Sequence, residues 1–251
     1  MTGLQKISLT LAAVLAVTFG VAAAQDDEAL VVDLSESQIA ITTGFTGADV
    51  LLFGATDGDG DVVVVVRGPT DVITVRRKER VAGIWINTES LSFSGVPGYY
   101  RIAASQPLET LLPEEIRQTF QIGAANIAVA PLETRPRDVE LDFFNALVRN
   151  KQRADLYDGE LGSVRFLGSR LFRTRISLPA NVPTGRYTVE VFLVANGTIE
   201  TRTTTPLEVV KSGFEEQVYS FAHERSAIYG LIAIILALVA GWFAGYVFRK
   251  I

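Results

Sequence analysis

Cysteine is absent from the 251 residues, methionine occurs only at the start, and there is one histidine, His223. Without cysteine there is no thiol nucleophile, no CxxC redox pair, no disulfide, no Cys-bearing zinc site and no Cys-anchored lipid. One histidine excludes any site that needs two from one chain. Charge is also modest, at 20% of residues against 48% apolar, which excludes both a disordered chain and a multi-span transporter. The chain has no P-loop, no G-x-G-x-x-G and no H-E-x-x-H. Nor has it a G-x-S-x-G elbow, since Ser94-Gly95 follows Ser92-Phe93. Carboxylate pairs are frequent, but nothing in their spacing singles out a glycosidase pair.

What is present begins at the two ends. Lys6 precedes an apolar run from Ile7 to Val21 that closes on Ala22-Ala23-Ala24, followed by Gln25-Asp26-Asp27-Glu28. Small residues at the cleavage positions make residues 1–24 a secretory signal peptide. At the other end, residues 227–248 carry no charge. As a helix this segment covers roughly 33 Å, enough for a hydrocarbon core of about 30 Å. Arg249-Lys250 follows the span, while Glu224 and Arg225 cancel before it. The positive-inside rule then places residues 249–251 in the cytoplasm as a short tail and the N-terminal bulk outside. Tyr229, Trp242, Tyr246 and Phe248 suit the two interfaces. The exported part holds 28 acidic residues against 20 basic ones, so binding to nucleic acid is not expected.

Between the ends the pattern is mainly β. Val62-Val63-Val64-Val65-Val66 suits a strand buried on both faces. Val72–Val75 and Val81–Ile86 predict a hairpin with Arg76, Arg77, Lys78 and Arg80 near its tip, and Trp85 packed between sheets. Residues 112–155 differ. Leu112, Ile116 and Phe120 recur every four residues behind Pro113-Glu114-Glu115. Asp138 is placed to cap a second helix with a stripe of Leu141, Phe144, Leu147 and Val148. Strands return at Val164, and Asn196-Gly197 predicts a type I′ hairpin. The expected organisation is an N-terminal β-sandwich module (25–111), a helical insert (112–155) and a C-terminal Ig-like β module (156–212). A stalk (213–226) then leads to the transmembrane helix (227–248). One larger sandwich with a helical excursion is the alternative.

Few residues point to chemistry. Asp57, Asp59 and Asp61 alternate as calcium-loop carboxylates do, but Val62 and Gly68 stand where an EF-hand loop needs Gly and Glu. An exposed acidic hairpin turn is the preferred reading, with no metal and no cofactor. The basic residues Arg76, Arg77, Lys78 and Arg80 suit lipid headgroups, a polyanion or an acidic partner, or simply a solvated hairpin end. Ala233, Ala237, Gly241 and Gly245 form a small-residue stripe that lets a second helix approach, permitting a homo-oligomer or a membrane partner. Asn196-Gly197-Thr198 matches a glycosylation acceptor and is read as a turn. His223 is read as a polar residue at the membrane edge.

Several segments together carry a resemblance: Phe45-x-Gly47, Leu52-Phe53-Gly54, Val66-Arg67-Gly68-Pro69, Gly83-Ile84-Trp85-Ile86-Asn87, Pro97-x-Tyr99-Tyr100, and Leu178-Pro179 through Pro183-x-Gly185-x-Tyr187. In this order, before one C-terminal span, they resemble a family of alphaproteobacterial transmembrane proteins of uncharacterised function. The resemblance implies an inner-membrane protein and supplies no catalytic residues. It also suggests an association with sulfite-exporter-like permeases. The function expected is therefore a non-enzymatic, membrane-anchored periplasmic module serving an integral-membrane or periplasmic protein partner. An envelope assembly protein and a carboxylate-dependent envelope enzyme are the alternatives.

Overall fold

The computed structural model describes residues 29–212, 223 and 225–248. The signal segment, most of the stalk and Arg249-Lys250 lie outside the described residues. The protein is mainly β. Its strands are β1 (Leu30–Leu34), β2 (Gln38–Ile41), β3 (Gly47–Thr56), β4 (Asp61–Arg67), β5 (Thr70–Val81), β6 (Ile84–Pro97), β7 (Tyr100–Ala104), β8 (Ala130–Pro131), β9 (Gly162–Ser163), β10 (Arg165–Leu167), β11 (Leu171–Pro179), β12 (Gly185–Ala195) and β13 (Thr198–Lys211). The helices are α1 (Leu108–Leu111), α2 (Glu114–Thr119), α3 (Arg137–Arg153) and α4 (Ser226–Phe248).

Two sheets face each other. One has the order β1-β3-β11-β10 and the other β2-β13-β12-β4-β7-β9. Leu52, Phe172, Ile176 and Leu178 from the first meet Val64, Tyr187, Val189 and Leu207 from the second in one continuous core. The valine run shows why β4 is central. Val62, Val64 and Val66 point into this core, while Val63 and Val65 point out of it, into a second core under the helical segment. All five are buried. A fully buried Val contributes roughly 1.5 kcal/mol or more, so this strand is buried on both faces at a large gain.

The division into separate N- and C-terminal sandwich modules is corrected by the pairing. β3 pairs with β11 along its length, and β4 pairs with β12. Residues 25–111 and 156–212 therefore both supply strands to each sheet of one sandwich. The reason is geometric. β3 and β4 are consecutive but lie in different sheets, so each needs a neighbour from the C-terminal half. The 57–61 turn is for the same reason a corner between sheets, not a hairpin. The Asn196-Gly197 turn joins β12 to β13 with φ of 51° and 76°, the left-handed values a type I′ turn requires.

The helical segment covers the outer face of the second sheet. Leu108, Leu111, Leu112 and Ile122 pack on Val63, Val65, Tyr100, Ile102 and Phe192, with Ile116 and Phe120 at the margin. α3 instead packs on a third sheet, β5-β6-β8, through Phe143 and Leu147 against Val75, Leu91 and Phe93. This shifts the expected stripe by part of a turn: Leu141 is exposed, and Phe144 and Val148 are half-buried flanks. Asp138 is not the cap. Pro136 precedes the helix, and Asp138 sits inside its first turn, where a carboxylate still favours the helix dipole.

α4 is a 23-residue helix, starting one residue before the expected span. Its described apolar side chains, among them Ile228, Leu231, Leu238 and Trp242, are exposed. Among the described residues, no helix is long and apolar enough to cross a membrane. The side chains at 227, 232, 233, 236 and 243–248 of α4 lie outside that description.

Candidate functional site

The β5–β6 hairpin is rooted by a built clamp. Arg67 ends β4, forms an ion pair with Glu190 on β12, and donates to the carbonyls of Phe120 and Gln121 at 2.8 and 3.1 Å. Its guanidinium also lies over the Tyr100 ring at 5.9 Å. Burial lowers its pKa, opposed by the nearby Tyr100. Gly68 follows where a Cβ would come within 3.0 Å of both Tyr99 and Tyr187. Pro69 lies against Gly185, whose φ of 139° only glycine readily adopts. Gly98, just past the end of β6, donates its N–H to the Pro69 carbonyl at 2.7 Å.

Buried tyrosines fix this root to the sandwich. Tyr99 donates to the Ser177 carbonyl, Tyr157 to that of Pro97 and Tyr187 to that of Pro183. The Tyr100 hydroxyl donates to the Gln121 carbonyl and accepts from the Gly123 N–H. Beside them Arg101 and Asp158 pair at 2.9 Å. Burial raises the Asp158 pKa, with Arg101 and the Ile102 N–H opposing.

Past this root the hairpin becomes a free ribbon. Every residue from Lys78 to Ser90 is exposed. The turn is Ala82-Gly83, so Arg76, Arg77, Lys78 and Arg80 lie along the shaft rather than at the tip. Arg77 is already engaged, by Glu89 at 3.0 Å, Asp142 at 3.6 Å and the Phe143 ring. Arg76, Lys78 and Arg80 alternate onto the opposite face. The expectation that Trp85 packs between sheets is overturned: Trp85 is 66% exposed and Ile84 68%. The third strand of their sheet, β8, reaches only Phe93 and Ser94, so among the described residues no strand covers the tip.

A second surface was not singled out from the sequence. On the outer face of β1-β3-β11-β10, the registers align Val31, Leu51, Phe53, Leu167 and Leu171, all substantially exposed. Arg165, Arg173 and Arg175 share that face and line a groove of about 360 Å³ with Leu51. Arg165 stands directly across from Arg173, a like-charge pair that costs stability unless an anionic group answers it. Val50-Leu51-Leu52-Phe53 held the signal: an uninterrupted apolar run makes both faces apolar, and the sandwich buries only one.

The remaining candidates separate. Asp57 pairs with Arg170 at 3.1 Å, while Asp61 accepts from Ser105 at 2.7 Å and from Gln106. The described residues hold no group of three or more acidic or histidine side chains placed for a metal ion. His223 is exposed. Ala237 and Gly241 of the small-residue stripe are exposed on α4, and the side chains at Ala233 and Gly245 lie outside the described residues.

Two of the segments that carried the resemblance are thus the root (Arg67-Gly68-Pro69) and tip (Gly83 to Asn87) of one hairpin. No curated protein matches the chain. A family model, described as "Putative transmembrane protein (Alph_Pro_TM)", matches residues 29–250. The chain belongs to that transmembrane protein family.

Proposed function

We propose that the protein is a membrane-anchored interaction module of the inner membrane, with its sandwich in the periplasm and its role binding rather than catalysis. The anchor in this reading is α4, supported by the uncharged sequence from 227 to 248 and by its exposed Ile228, Leu231, Leu238 and Val239. The signal-like N-terminus and Arg249-Lys250 set the orientation. The sandwich itself reads as Ig-like. Its strand orders follow A-B-E-D and A′-G-F-C-C′, with the two-residue β9 added beyond C′, and β2 runs parallel to β13 as A′ does to G. Tyr187 near the start of β12, bonded at 2.6 Å to the Pro183 carbonyl, suits the tyrosine corner of such folds. The hairpin and the helical segment are then insertions on either side of C′.

The observation that carries the binding role is the outer face of β1-β3-β11-β10. Exposed Phe53, Leu51 and Leu171 beside Arg165, Arg173 and Arg175 suit an apolar partner surface with acidic residues. An integral-membrane protein, such as a permease, is the partner class proposed, because α4 would hold this face close to one. A photo-crosslinker at Phe53, in native membranes, should give an adduct of one defined mass that Arg173→Glu abolishes. A mass of two chains would instead favour an assembly protein built on itself, and no adduct from Leu51, Phe53 or Leu171 would remove the reading.

A further inference from the structure

We propose that the distal β5–β6 hairpin docks on an anionic lipid surface, its apolar tip at headgroup level and Arg76, Lys78 and Arg80 on lipid phosphates. This rests on the reading of α4 as a membrane span.

The tip is apolar on both sides. Cross-strand partners share a face, so Arg80 and Trp85 lie on one side of the ribbon with Lys78 and Asn87. Val81 and Ile84 lie on the other, with Glu79 and Ile86. Val81, Ile84, Trp85 and Ile86 are each between 44% and 68% exposed. A docked protein covers one face of a two-stranded ribbon and leaves the other in water. A lipid interface surrounds an inserted tip, and so matches apolar groups on both faces. Tryptophan is suited to that level, with its ring in the apolar boundary and its N–H in the headgroups.

Charge points the same way. Residues 76–90 carry four basic and two acidic side chains, within an exported region that is acidic overall. Arg80, Lys78 and Arg76 stand one behind another on the Trp85 face, at increasing distance from the tip. That is the order needed for an apolar end in the interface and cations among phosphates.

Topology places the hairpin where it can reach. β12 pairs with β4 so that Thr188 faces Arg67, and β13 pairs with β12 so that Val209 faces Gly185. The end of β4, the hairpin root at Pro69 and Gly98, and the end of β13 at Lys211 therefore share one end of the sheet. From Lys211 the chain runs through residues 212–225 to α4. Fully extended, that stretch spans at most roughly 50 Å, and a strand the length of β5 roughly 40 Å. The end of the sandwich that bears the hairpin is thus the end tethered to the bilayer.

The test uses the two tryptophans, Trp85 and Trp242, separately. Full-length protein carrying Trp242→Phe is reconstituted in phosphatidylcholine vesicles, with or without phosphatidylglycerol, containing acyl-brominated lipid. Trp85 fluorescence should be quenched when phosphatidylglycerol is present and much less in phosphatidylcholine alone. Arg76→Gln, Lys78→Gln and Arg80→Gln should each weaken the docking equilibrium by about fivefold. The companion Trp85→Phe protein reports on Trp242 in α4. Quenched Trp242 with unquenched Trp85 overturns the docking proposal alone and leaves the ribbon to a protein partner. If neither is quenched, the membrane reading falls with it. Quenching of Trp85 that ignores both phosphatidylglycerol and the three substitutions overturns the anionic specificity.

Discussion

The rings of Tyr99 and Tyr187 meet edge to face with centroids 5.6 Å apart, and Gly68 passes beside both. An added methyl at Gly68 would press on the buried Tyr187 ring and on the Cβ of Tyr99, both at 3.0 Å, and on the Tyr99 backbone nitrogen at 3.1 Å. Gly68→Ala should destabilise the fold by about 1–3 kcal/mol, read as a lowered urea midpoint with an unchanged slope.

The same tyrosines set an alkaline limit. Burial pushes the Tyr100 hydroxyl up to about 12 and holds those of Tyr99, Tyr157 and Tyr187 higher still. Each group is raised above its unfolded value near 10. Its contribution is fully present below pH 10 and is lost as the pH rises through the folded value, because the unfolded chain releases its proton first. Stability should fall above pH 10, each tyrosine adding roughly 1.4 kcal/mol per pH unit to the slope. Denaturation midpoints between pH 8 and pH 12, compared with those of Tyr100→Phe, check this: the variant should show a shallower decline.

Arg67 tests whether a charge or a fork holds the hairpin root. Arg67→Lys keeps a cation beside Glu190 but cannot also reach the Phe120 and Gln121 carbonyls with a planar guanidinium. It should cost about 1–2 kcal/mol. Arg67→Met leaves Glu190, 15% exposed, with Arg202 at 3.6 Å as its remaining partner, and should cost about 3 kcal/mol. Equal losses in the two variants would assign the effect to the fork alone, and an Arg67→Lys protein as stable as the parent would assign it to charge alone.

Ala82 occupies the hairpin turn at φ 50°, a left-handed value that costs an alanine about 1 kcal/mol. Asparagine adopts it more readily. Ala82→Asn should slow amide hydrogen exchange in the tip by about fivefold, with little change in global stability, because the ribbon beyond Lys78 has no core to share.

Periodicity and turn chemistry made single elements legible. The five valines announced burial on two faces, and Asn196-Gly197 announced its turn. Neither signal names a strand's neighbour. Alternation says which face is buried, not against what, and so consecutive strands were grouped into two modules where pairing crosses the chain. Trp85 failed for a related reason. An aromatic between isoleucines reads as a packed strand, and only the shortness of β8, two residues long, leaves that strand uncovered. The outer arginines were visible as the polar phase of Phe172–Leu178. Their meaning as a surface needed Leu51 and Phe53, brought beside them by pairing 120 or so residues apart in sequence.

The interleaved strand order also sets a schedule for the chain as it leaves the ribosome. β3 and β4 emerge early, yet their partners β11 and β12 follow more than a hundred residues later. The closing strand, β13, is separated from α4 only by residues 212–225. No fragment that stops short of β11 and β12 can close the sandwich, so the apolar faces of the early strands wait for partners made more than a hundred residues later. Completion of the body and delivery of the terminal helix therefore fall at almost the same moment of synthesis.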